Sequence, residues 1–529
     1  MRVACVQTTA NDVTDYQQNW NHVLRVIDEA ALNRAQLIVL PESVYPAYFL
    51  GLDLEKATEA VAQIERIKLD IAQKAKRYQV YIAAGLAVME DGKMLNAGLL
   101  FSPDGEVVCN TAKCNLWHFD HKWFHCGTSF DVADTPFGKV GLIICADGRA
   151  PEIPRILALK GAKIIIDMAN LTASGKDPGR LSNPQFDYML RVRALENGVW
   201  LIMADKVGVE ADTIVYAGRS CVINPHGEVV AAASPDKPEI LYAEIDETRS
   251  GRSLPKRKPE AYEILVKPTE TLPVFEEISH PTIVGQTELQ LSVVQFRHRD
   301  GDEYLTKALK FVKVLEKQDS QLIFLPQLRK GENLETCVAN IKRALSEVST
   351  MVAVTGYIRE ADKVYKTTLV FSKHRDYGRY DKVHVEDDRD EGLAQGSIAK
   401  AVVETPICKL GIMHDQEGLL PEVPRSLMLM GAELVLWSDR RCDGSNDLVV
   451  QTRAAENKIY VARSGNAEQA DHSVIASPMG TIVASTFQGT DQAASTLVVA
   501  ALSKSKTIVP GTNVVLDRRP ELYKELAGL

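Results

Sequence analysis

The sequence predicts a layered α/β fold that occurs twice in the chain. Short apolar segments rich in β-branched residues alternate with longer segments whose apolar residues recur at helical spacing, the pattern of sheets covered by helices. The same order of motifs returns in the second half, which indicates a duplicated domain. At 529 residues the chain is also long for a single hydrophobic core. We therefore predict two domains of the same α/β class.

The first ninety residues show this alternation. Residues 3–8 (VACVQT) and 37–40 (LIVL) are predicted strands, and residues 12–35 between them are a predicted helix. A second helix is predicted over residues 55–78, followed by a strand over residues 80–86. A repeated strand–helix order of this kind is typical of a layered sandwich.

The composition excludes several classes of function. An apolar content of 45% and a charged content of 25% are ordinary for a globular protein. The net charge of −9 argues against nucleic-acid or anionic-membrane partners. The nine cysteines show no disulfide framework, and neither a signal peptide nor a membrane-spanning run is visible. We therefore expect a cytoplasmic protein without nucleic-acid or membrane partners.

A cysteine follows one of the predicted strands directly. Residues 140–144 are apolar, Cys145 ends the run, and Pro151 and Glu152 then open a helix. A cysteine on such a strand-to-helix turn presents its sulfur at the edge of the sheet, where a nucleophile is useful. The alternative is that Cys145 is only a small core residue.

An acid and a base lie in similar positions. Glu42 follows the apolar strand LIVL and a proline, and Lys113 lies about thirty residues before the cysteine. An acid, a base and a thiol that each adjoin a strand can converge at one end of a sheet.

These residues belong to a longer, ordered set of motifs. The set comprises VACVQT at 3–8, LPES at 40–43, Lys113, DTPFGKVGLIICADGRAPE at 134–152, RALEN at 193–197 and SCVINPHGEVV at 220–230. In order and spacing it resembles the nitrilase, or carbon–nitrogen hydrolase, superfamily over residues 1–265. The resemblance implies an αββα four-layer sandwich and a Glu–Lys–Cys catalytic set, and no cofactor is implied.

By this resemblance Glu42 is the general base, Lys113 stabilises the tetrahedral intermediate and Cys145 is the nucleophile. The chemistry agrees, because a thiol with an ordinary pKa is only a few per cent thiolate at neutral pH and needs a base or a cation nearby. Glu42 would take the thiol proton, return it to the leaving nitrogen and later activate water. Lys113 and the backbone N–H of Ala146 would face the oxyanion.

The segment between the lysine and the cysteine departs from the family pattern. Asp120 stands where the family has a second glutamate that positions the lysine, and its shorter side chain leaves open whether it reaches Lys113. The segment also holds a group of possible metal ligands, namely His118, His121, His125 and Cys126. Their spacing fits no standard zinc site, so we expect no metal.

Three further residues are predicted to bind substrate. Arg149 lies four residues after the cysteine, and a guanidinium can hold a carboxylate through two hydrogen bonds. N-carbamoyl amino acid hydrolases of this superfamily have a carboxylate-binding arginine at the equivalent place. The alternative is an arginine paired with Asp147 or Glu152. Asn170 ends a strand at the same edge, and Trp117 is expected to line the pocket.

The second half repeats the first with altered site residues. LSVVQF at 291–296, LIFLPQL at 322–328 and CKLGIMHDQEGLLPEVPR at 408–425 echo the motifs above. We match Gln327 to the glutamate and His414 to the cysteine, and only the lysine survives, as Lys382. We predict a catalytic domain over 1–265, a linker over 266–287 and an inactive domain over 288–529, with the two halves paired as an intramolecular pseudo-dimer. Further homo-oligomerisation is left open.

The resemblance favours a thiol-dependent amidohydrolase that cleaves a carbamoyl or carboxamide C–N bond of a small, carboxylate-bearing substrate and releases ammonia. An acyltransferase that uses the same thioester differs only in its acceptor. A nitrilase is less favoured, because Ala146 and Asp147 follow the cysteine where true nitrilases have Trp-Glu. The other class left open is a ligand-binding regulatory protein.

Overall fold

The computed structural model describes residues 1–173, 175–246, 248, 254–279, 288–386, 390–440, 446–465, 467, 471–499 and 503–529. These residues form two compact units. The first unit comprises Met1–Leu254 together with Val509–Thr512. The second comprises Pro255–Ile508 and Asn513–Leu529.

The first unit contains two mixed sheets. Its strands are β1 (Arg2–Thr9), β2 (Leu37–Val39), β3 (Tyr81–Glu90), β4 (Lys93–Phe101), β5 (Val107–Ala112), β6 (Val132–Ala133), β7 (Lys139–Ile144), β8 (Ala162–Met168), β9 (Trp200–Ala204), β10 (Lys206–Glu210), β11 (Ile214–Ala217), β12 (Cys221–Ile223), β13 (Val229–Ala232) and β14 (Glu239–Glu244). One sheet has the order β11-β10-β1-β2-β3-β4-β5, with β14 paired to β1, and the other has the order β13-β12-β9-β8-β7-β6.

Helices cover the outer face of each sheet. They are α1 (Tyr16–Leu32), α2 (Leu54–Val61), α3 (Ile64–Tyr78), α4 (Glu152–Leu159) and α5 (Leu190–Asn197). Alternate residues of β1 face opposite layers, as strand geometry requires. Val3 and Cys5 lie in the core between the two sheets, whereas Ala4 and Val6 lie in the core beneath α1 and α3. Helices α4 and α5 pack on β8 and β9. The predicted αββα sandwich is thus confirmed.

The second unit repeats this plan. Its strands are β15 (Glu288–Gln295), β16 (Leu322–Phe324), β17 (Met351–Glu360), β18 (Lys363–Phe371), β19 (Asp376–Asp381), β20 (Val402–Glu404), β21 (Lys409–His414), β22 (Leu434–Ser438), β23 (Tyr460–Ser464), β24 (Val474–Ala476), β25 (Ile482–Ser485) and β26 (Gln492–Val499). A short pair, β27 (Thr507–Val509) and β28 (Thr512–Asn513), follows in the chain, and its residues Val509 and Thr512 belong to the first unit. The sheet orders are β19-β18-β17-β16-β15-β26 and β20-β21-β22-β23-β24-β25. Its helices are α6 (Pro273–Ser279), α7 (Gly301–Glu316), α8 (Leu334–Ala344), α9 (Glu422–Leu429) and α10 (Asn446–Asn457).

The tail that we assigned to the first domain lies with the second unit. Arg257 pairs with Glu422 at 2.7 Å, and the Tyr262 hydroxyl lies 2.7 Å from His384 Nε2. The predicted linker contains α6, and its residues 280–287 lie outside the described part of the chain. None of the described helices is long and apolar enough to cross a membrane.

Gly85 in β3 allows the turn that carries Glu42 to approach the sheet. A Cβ atom at Gly85 would lie 2.6 Å from both the Glu42 Cα and the Pro41 carbonyl oxygen. Because these are backbone atoms, we expect Gly85→Ala to shift the turn and to lower the free energy of unfolding by about 1–3 kcal/mol. Chemical denaturation measures this change. The control is Gly179→Ala, whose nearest contact is at an ordinary 3.4 Å, and equal stability of the two variants would contradict the prediction.

Candidate functional site

Four polar residues of the first unit follow strands that run in the same direction. Glu42 follows β2 and Lys113 follows β5 in one sheet, while Cys145 follows β7 and Asn170 follows β8 in the other. The carboxyl ends of such strands are where open α/β sheets commonly form ligand sites. All four residues are at most 6% exposed. The structure therefore gathers the predicted acid, base and thiol at one edge of the sandwich.

A buried ammonium group lies between two carboxylates at the centre of this site. Lys113 Nζ is 2.7 Å from Glu42 Oε1 and 2.7 Å from Asp120 Oδ2. The Asn96 side-chain amide donates to the same Glu42 oxygen at 2.7 Å. Glu42 Oε2 is buried and has no hydrogen-bond partner within the described residues. One carboxylate oxygen is therefore fixed, and the other is open to a proton.

Asp120 reaches the lysine despite its shorter side chain. It lies in a 3-10 turn, His118–Lys122, that begins a few residues after Lys113. The Trp117 backbone N–H donates to Asp120 Oδ2 at 2.9 Å, the oxygen that also faces the lysine. The tight turn compensates for the missing methylene, and the geometry answers the question that the sequence left open.

The electrostatics of the site keep the thiol protonated at rest. Burial raises the pKa of Glu42, opposed by the Lys113 ammonium and assisted by the Asp120 carboxylate. Burial alone lowers the pKa of Lys113, but the two carboxylates raise it well above its ordinary value. Burial and the negative charge of Glu42 raise the pKa of the Cys145 thiol, against the Lys113 ammonium. The thiol therefore needs a base, and Glu42 is more basic than an ordinary carboxylate.

Cys145 stands on a strained turn with both flanking peptides anchored. Its φ of +49° is in the left-handed region, which residues other than glycine seldom adopt. Its N–H donates to Asp167 Oδ1 at 2.8 Å, and its carbonyl accepts from Gln185 Nε2 at 2.7 Å. The thiol donates to the Asn170 carbonyl at 3.7 Å, and the Asn170 side chain donates to the Glu42 carbonyl at 3.0 Å. Asn170 thus connects the acid to the thiol.

Asp147 ties the cysteine turn to the lysine strand. Its carboxylate accepts from the backbone N–H groups of Cys114 at 3.1 Å, Asn115 at 2.8 Å and Ile144 at 3.2 Å. Burial raises its pKa to about 7, although these hydrogen bonds oppose the rise. Ala146 is buried on the same turn, and the role of its N–H at the oxyanion stays a prediction.

Arg149 and Trp117 are stacked at the site. The guanidinium carbon is 4.8 Å from the centre of the tryptophan ring, and Arg149 Nε donates to Gln185 Oε1 at 3.2 Å. Over the residues that the structure describes, no carboxylate pairs with Arg149, so the pairing with Asp147 or Glu152 considered above is not observed. The guanidinium is half-buried with only neutral side chains beside it.

The loop that carries Asp120 has a partner from far along the chain. The His118 N–H donates to Thr512 Oγ1 at 2.9 Å, and Thr512 belongs to the first unit through the segment Val509–Thr512. Among the described residues, no group of three or more histidine, cysteine or acidic side chains is arranged to hold a metal ion. The contact with Thr512 has no local signal in the sequence.

Three residues that support the site were missed by the sequence reasoning. Asn96 holds Glu42, Asp167 holds the Cys145 N–H, and Gln185 holds both the Cys145 carbonyl and Arg149. The sequence could have indicated Asp167, because it is a polar residue inside the apolar strand IIIDM. Gln185 lies in a loop-like segment, and no feature of the sequence around it indicates a role at the site.

The second unit places Asp415, and not His414, where the first unit has its cysteine. Strand β21 ends at His414, and the turn begins at Asp415 with a φ of +45°, as the equivalent turn begins at Cys145. Our match of His414 to the cysteine was therefore wrong by one residue. Gly141 and Gly148 align with Gly411 and Gly418 and would have given the correct register.

An ion-pair network occupies the equivalent site of the second unit. Asp415 Oδ2 is 2.6 Å from Lys366 Nζ and 3.0 Å from Lys382 Nζ, and Lys382 also lies 2.7 Å from Asp390 Oδ2. Despite burial, the two ammonium groups hold the pKa of Asp415 well below its ordinary range. Gln327 replaces the glutamate and donates to the Tyr357 hydroxyl at 3.2 Å. A paired carboxylate thus stands in place of the thiol.

Known proteins resemble a segment of somewhat less than half of this chain. A nitrilase from Pyrococcus abyssi is 32% identical over 255 residues, covering 46% of this chain and 90% of that protein. An omega-amidase from Xenopus laevis is 31% identical over 240 residues, covering 43% and 83% respectively. The crystal structure of an amidase from Nesterenkonia sp. matches with 24% identity and a TM-score of 0.41, covering 47% of this chain and 90% of that one.

The family match covers both halves. The sequence model of the carbon–nitrogen hydrolase family matches residues 2–252 and, a second time, residues 290–508. These two segments span most of the chain and agree with the two compact units. The chain therefore belongs to the carbon–nitrogen hydrolase family of the nitrilase superfamily, as a tandem duplication in which the first half carries the buried glutamate, lysine and cysteine.

Proposed function

We propose that the first half is a thiol-dependent amidohydrolase that acts on a carboxamide or carbamoyl group of a small, carboxylate-bearing molecule and releases ammonia. The observation that carries the proposal is the buried Glu42–Lys113 pair beside the Cys145 thiol, with one oxygen of Glu42 open. Family membership supports hydrolysis of a C–N bond, and the similarity to omega-amidases supports an amide substrate.

The proposed reaction has two halves. Glu42 takes the thiol proton, the sulfur of Cys145 bonds to the substrate carbonyl carbon, and the carbonyl electrons move to the oxygen. Lys113 and the Ala146 N–H face this oxyanion, and one such donor is typically worth about 3–4 kcal/mol of barrier. Glu42 then gives the proton to the nitrogen, the C–N bond breaks and ammonia leaves. Water, deprotonated by Glu42, hydrolyses the thioester, and the thiol recovers its proton.

The fixed hydrogen bonds around Glu42 suit this repeated proton transfer. Lys113 and Asn96 hold Oε1, so Oε2 is the oxygen that can receive the proton. Asn170 Oδ1 is buried without a partner in the described part of the chain, and it is suited to accept a hydrogen bond from the substrate N–H.

The carboxylate preference rests on Arg149. A half-buried guanidinium normally has a carboxylate partner, whereas among the described residues the contacts of this one are with Gln185 and the Trp117 ring. A substrate carboxylate would complete this arrangement through a bidentate contact. N-carbamoyl amino acids and ω-amides have such a carboxylate beside a scissile C–N bond. An acyltransferase would share every residue named here and differ only in its acceptor.

Ammonia release from N-carbamoyl amino acids, ω-amides and neutral aliphatic amides tests the reaction. We expect turnover that Cys145→Ala abolishes. Because Arg149→Ala removes a charge-assisted contact, it should raise KM for carboxylated substrates about 10–100-fold and leave neutral amides nearly unchanged. Arg180→Ala, at a side chain that is 86% exposed, is the control.

The outcomes separate the alternatives. Turnover of neutral amides alone would keep the chemistry and refute the role of Arg149. Ammonia release that depends on an added amine or hydroxyl acceptor would indicate an acyltransferase. Absence of release from every compound would favour a ligand-binding protein.

Asp120 provides a pH test of the proposed base. Its negative charge helps to raise the pKa of Glu42, which must be deprotonated to act, so activity is lost as the pH falls through that pKa. We expect the acidic limb of kcat/KM to lie above pH 4.5, the ordinary pKa of Glu42, and to move to lower pH in Asp120→Asn. The lost contact with Lys113 should also lower kcat about tenfold. Asp134→Asn, at an exposed position, is the control, and an unshifted limb would refute this assignment of the base.

We also propose that the second half is inactive and pairs with the first as a pseudo-dimer. Asp415 and Gln327 in place of a thiol and a base support inactivity. The covalent link between two domains of one family supports pairing, because it gives each domain a high effective concentration of the other. Size exclusion with light scattering on residues 1–270 tests the pairing. We expect a fragment that self-associates or loses activity, because the partner half is missing, and a fully active monomer would contradict it.

A further inference from the structure

Gln185 is buried between the nucleophile and the arginine of the site. Its side chain is bound at both ends, because Nε2 donates to the Cys145 carbonyl at 2.7 Å and Oε1 accepts from Arg149 Nε at 3.2 Å. Its backbone N–H donates to Asn183 Oδ1 at 2.9 Å, which fixes the start of the segment. Gln185 is 2% exposed. A single side chain therefore joins the thiol turn to the guanidinium of Arg149.

The carbonyl that Gln185 holds belongs to a strained residue. A left-handed non-glycine residue costs on the order of 1–3 kcal/mol and persists where the surroundings fix it. Here Asp167 fixes the N–H of Cys145, and Gln185 fixes the carbonyl. One buried side chain thus binds the backbone N–H of the nucleophile, and another binds its carbonyl.

The second unit shows independently that this carbonyl needs a donor. Asp415, with a φ of +45°, occupies the place of Cys145, and its carbonyl accepts from Trp437 Nε1 at 2.9 Å. Trp437 lies on β22, at the position that Asp167 has on β8, so the donor comes from a different part of the fold. Two units with different side chains supply the same hydrogen bond, which indicates a requirement of the turn.

The backbone around Gln185 is shaped for this contact. A Cβ atom on Gly148 would lie 3.2 Å from Gln185 Nε2, so the glycine leaves room for the amide beside the turn. Gln185 also begins a π-helical turn, Gln185–Met189, and such turns often occur at functional sites.

We propose that Gln185 is a positioning residue that couples the substrate-binding arginine to the nucleophile. The inference rests on the proposed function, in which Arg149 binds the substrate carboxylate. A substrate carboxylate that binds the guanidinium would alter its hydrogen bond to Gln185 Oε1. The Nε2 atom of the same amide donates to the Cys145 carbonyl, so the change would reach the nucleophile. Gln185 therefore influences both the placement of the thiol and the preference for a charged substrate.

Two substitutions separate these effects. Gln185→Met removes the donor and the acceptor, and we expect kcat to fall about tenfold on charged and neutral substrates alike, because the Cys145 carbonyl loses its hydrogen bond. Gln185→Glu also replaces the donor to the Cys145 carbonyl by an acceptor, so kcat should fall as it does in Gln185→Met, and in addition it places a carboxylate against Arg149. We expect KM for carboxylated substrates to rise at least tenfold more than KM for neutral amides, because the guanidinium then has an internal partner. Gln18→Glu, on an exposed position of α1, controls for the added charge.

Alkylation of Cys145 by iodoacetamide gives a readout that needs no substrate. The rate is followed against pH by mass spectrometry of the Cys145 peptide. The added carboxylate of Gln185→Glu should raise the thiol pKa and move the alkylation profile to higher pH, whereas a merely structural role would leave it unchanged. Thermal unfolding of each variant confirms that the fold is retained.

The results distinguish failure of this inference from failure of the proposed function. If wild type hydrolyses carboxylated amides through Arg149 while Gln185→Glu matches Gln18→Glu in KM and alkylation, the inference is overturned and the function stands. If no compound is turned over but the alkylation profile still shifts, Gln185 positions the thiol and the proposed substrate class is wrong. An unshifted profile overturns the inference in either case.

Discussion

The site of the first unit depends on one buried positive charge, the ammonium of Lys113. Ions buried this completely are tolerated only when they are paired and hydrogen-bonded. Lys113 has two carboxylate partners, so the cluster with Glu42 and Asp120 has a net charge of −1 when all three groups are ionised. Burial raises the pKa of Glu42 most, and the Asp120 carboxylate adds to this rise against the Lys113 ammonium, so Glu42 is a better base than an ordinary carboxylate. The Asn96 amide holds Glu42 by a hydrogen bond, and the tight turn holds Asp120 against the lysine.

The second unit meets the same constraint with a balanced set of charges. Lys366 stands where the first unit has Asn96, and together with Lys382 it offsets the carboxylates of Asp390 and Asp415. Among the described residues, the two ammonium groups pair with the two carboxylates, and Asp415 stands at the position of the thiol. The strand orders and the left-handed turn are nevertheless kept. The fold therefore accommodates different polar residues at this site when the buried charges are compensated.

The duplication, the sandwich class and the acid, base and thiol could all be predicted from the sequence, because each follows from strand endings and repeat order. The structure places Glu42, Lys113 and Cys145 together as expected, although their catalytic roles remain predictions. Gln185 could not be predicted, because nothing local shows that a loop side chain turns back to the cysteine carbonyl. The match of His414 failed for another reason, since it relied on residue chemistry rather than on the glycine register.

Arg149 carries a positive charge for which the described residues provide no carboxylate partner. The Trp117 ring covers one face of the guanidinium, and the Gln185 amide satisfies a single N–H, yet neither supplies negative charge. Burial disfavours a charge that has no counter-ion, and here burial does lower the pKa of Arg149. The Tyr188 hydroxyl and, more weakly, the Cys145 thiol oppose this lowering of the pKa of Arg149. Under the proposed function, a substrate carboxylate would pair with the guanidinium and would bring the scissile carbonyl near the thiol, so that one unpaired charge would link substrate selection to catalysis.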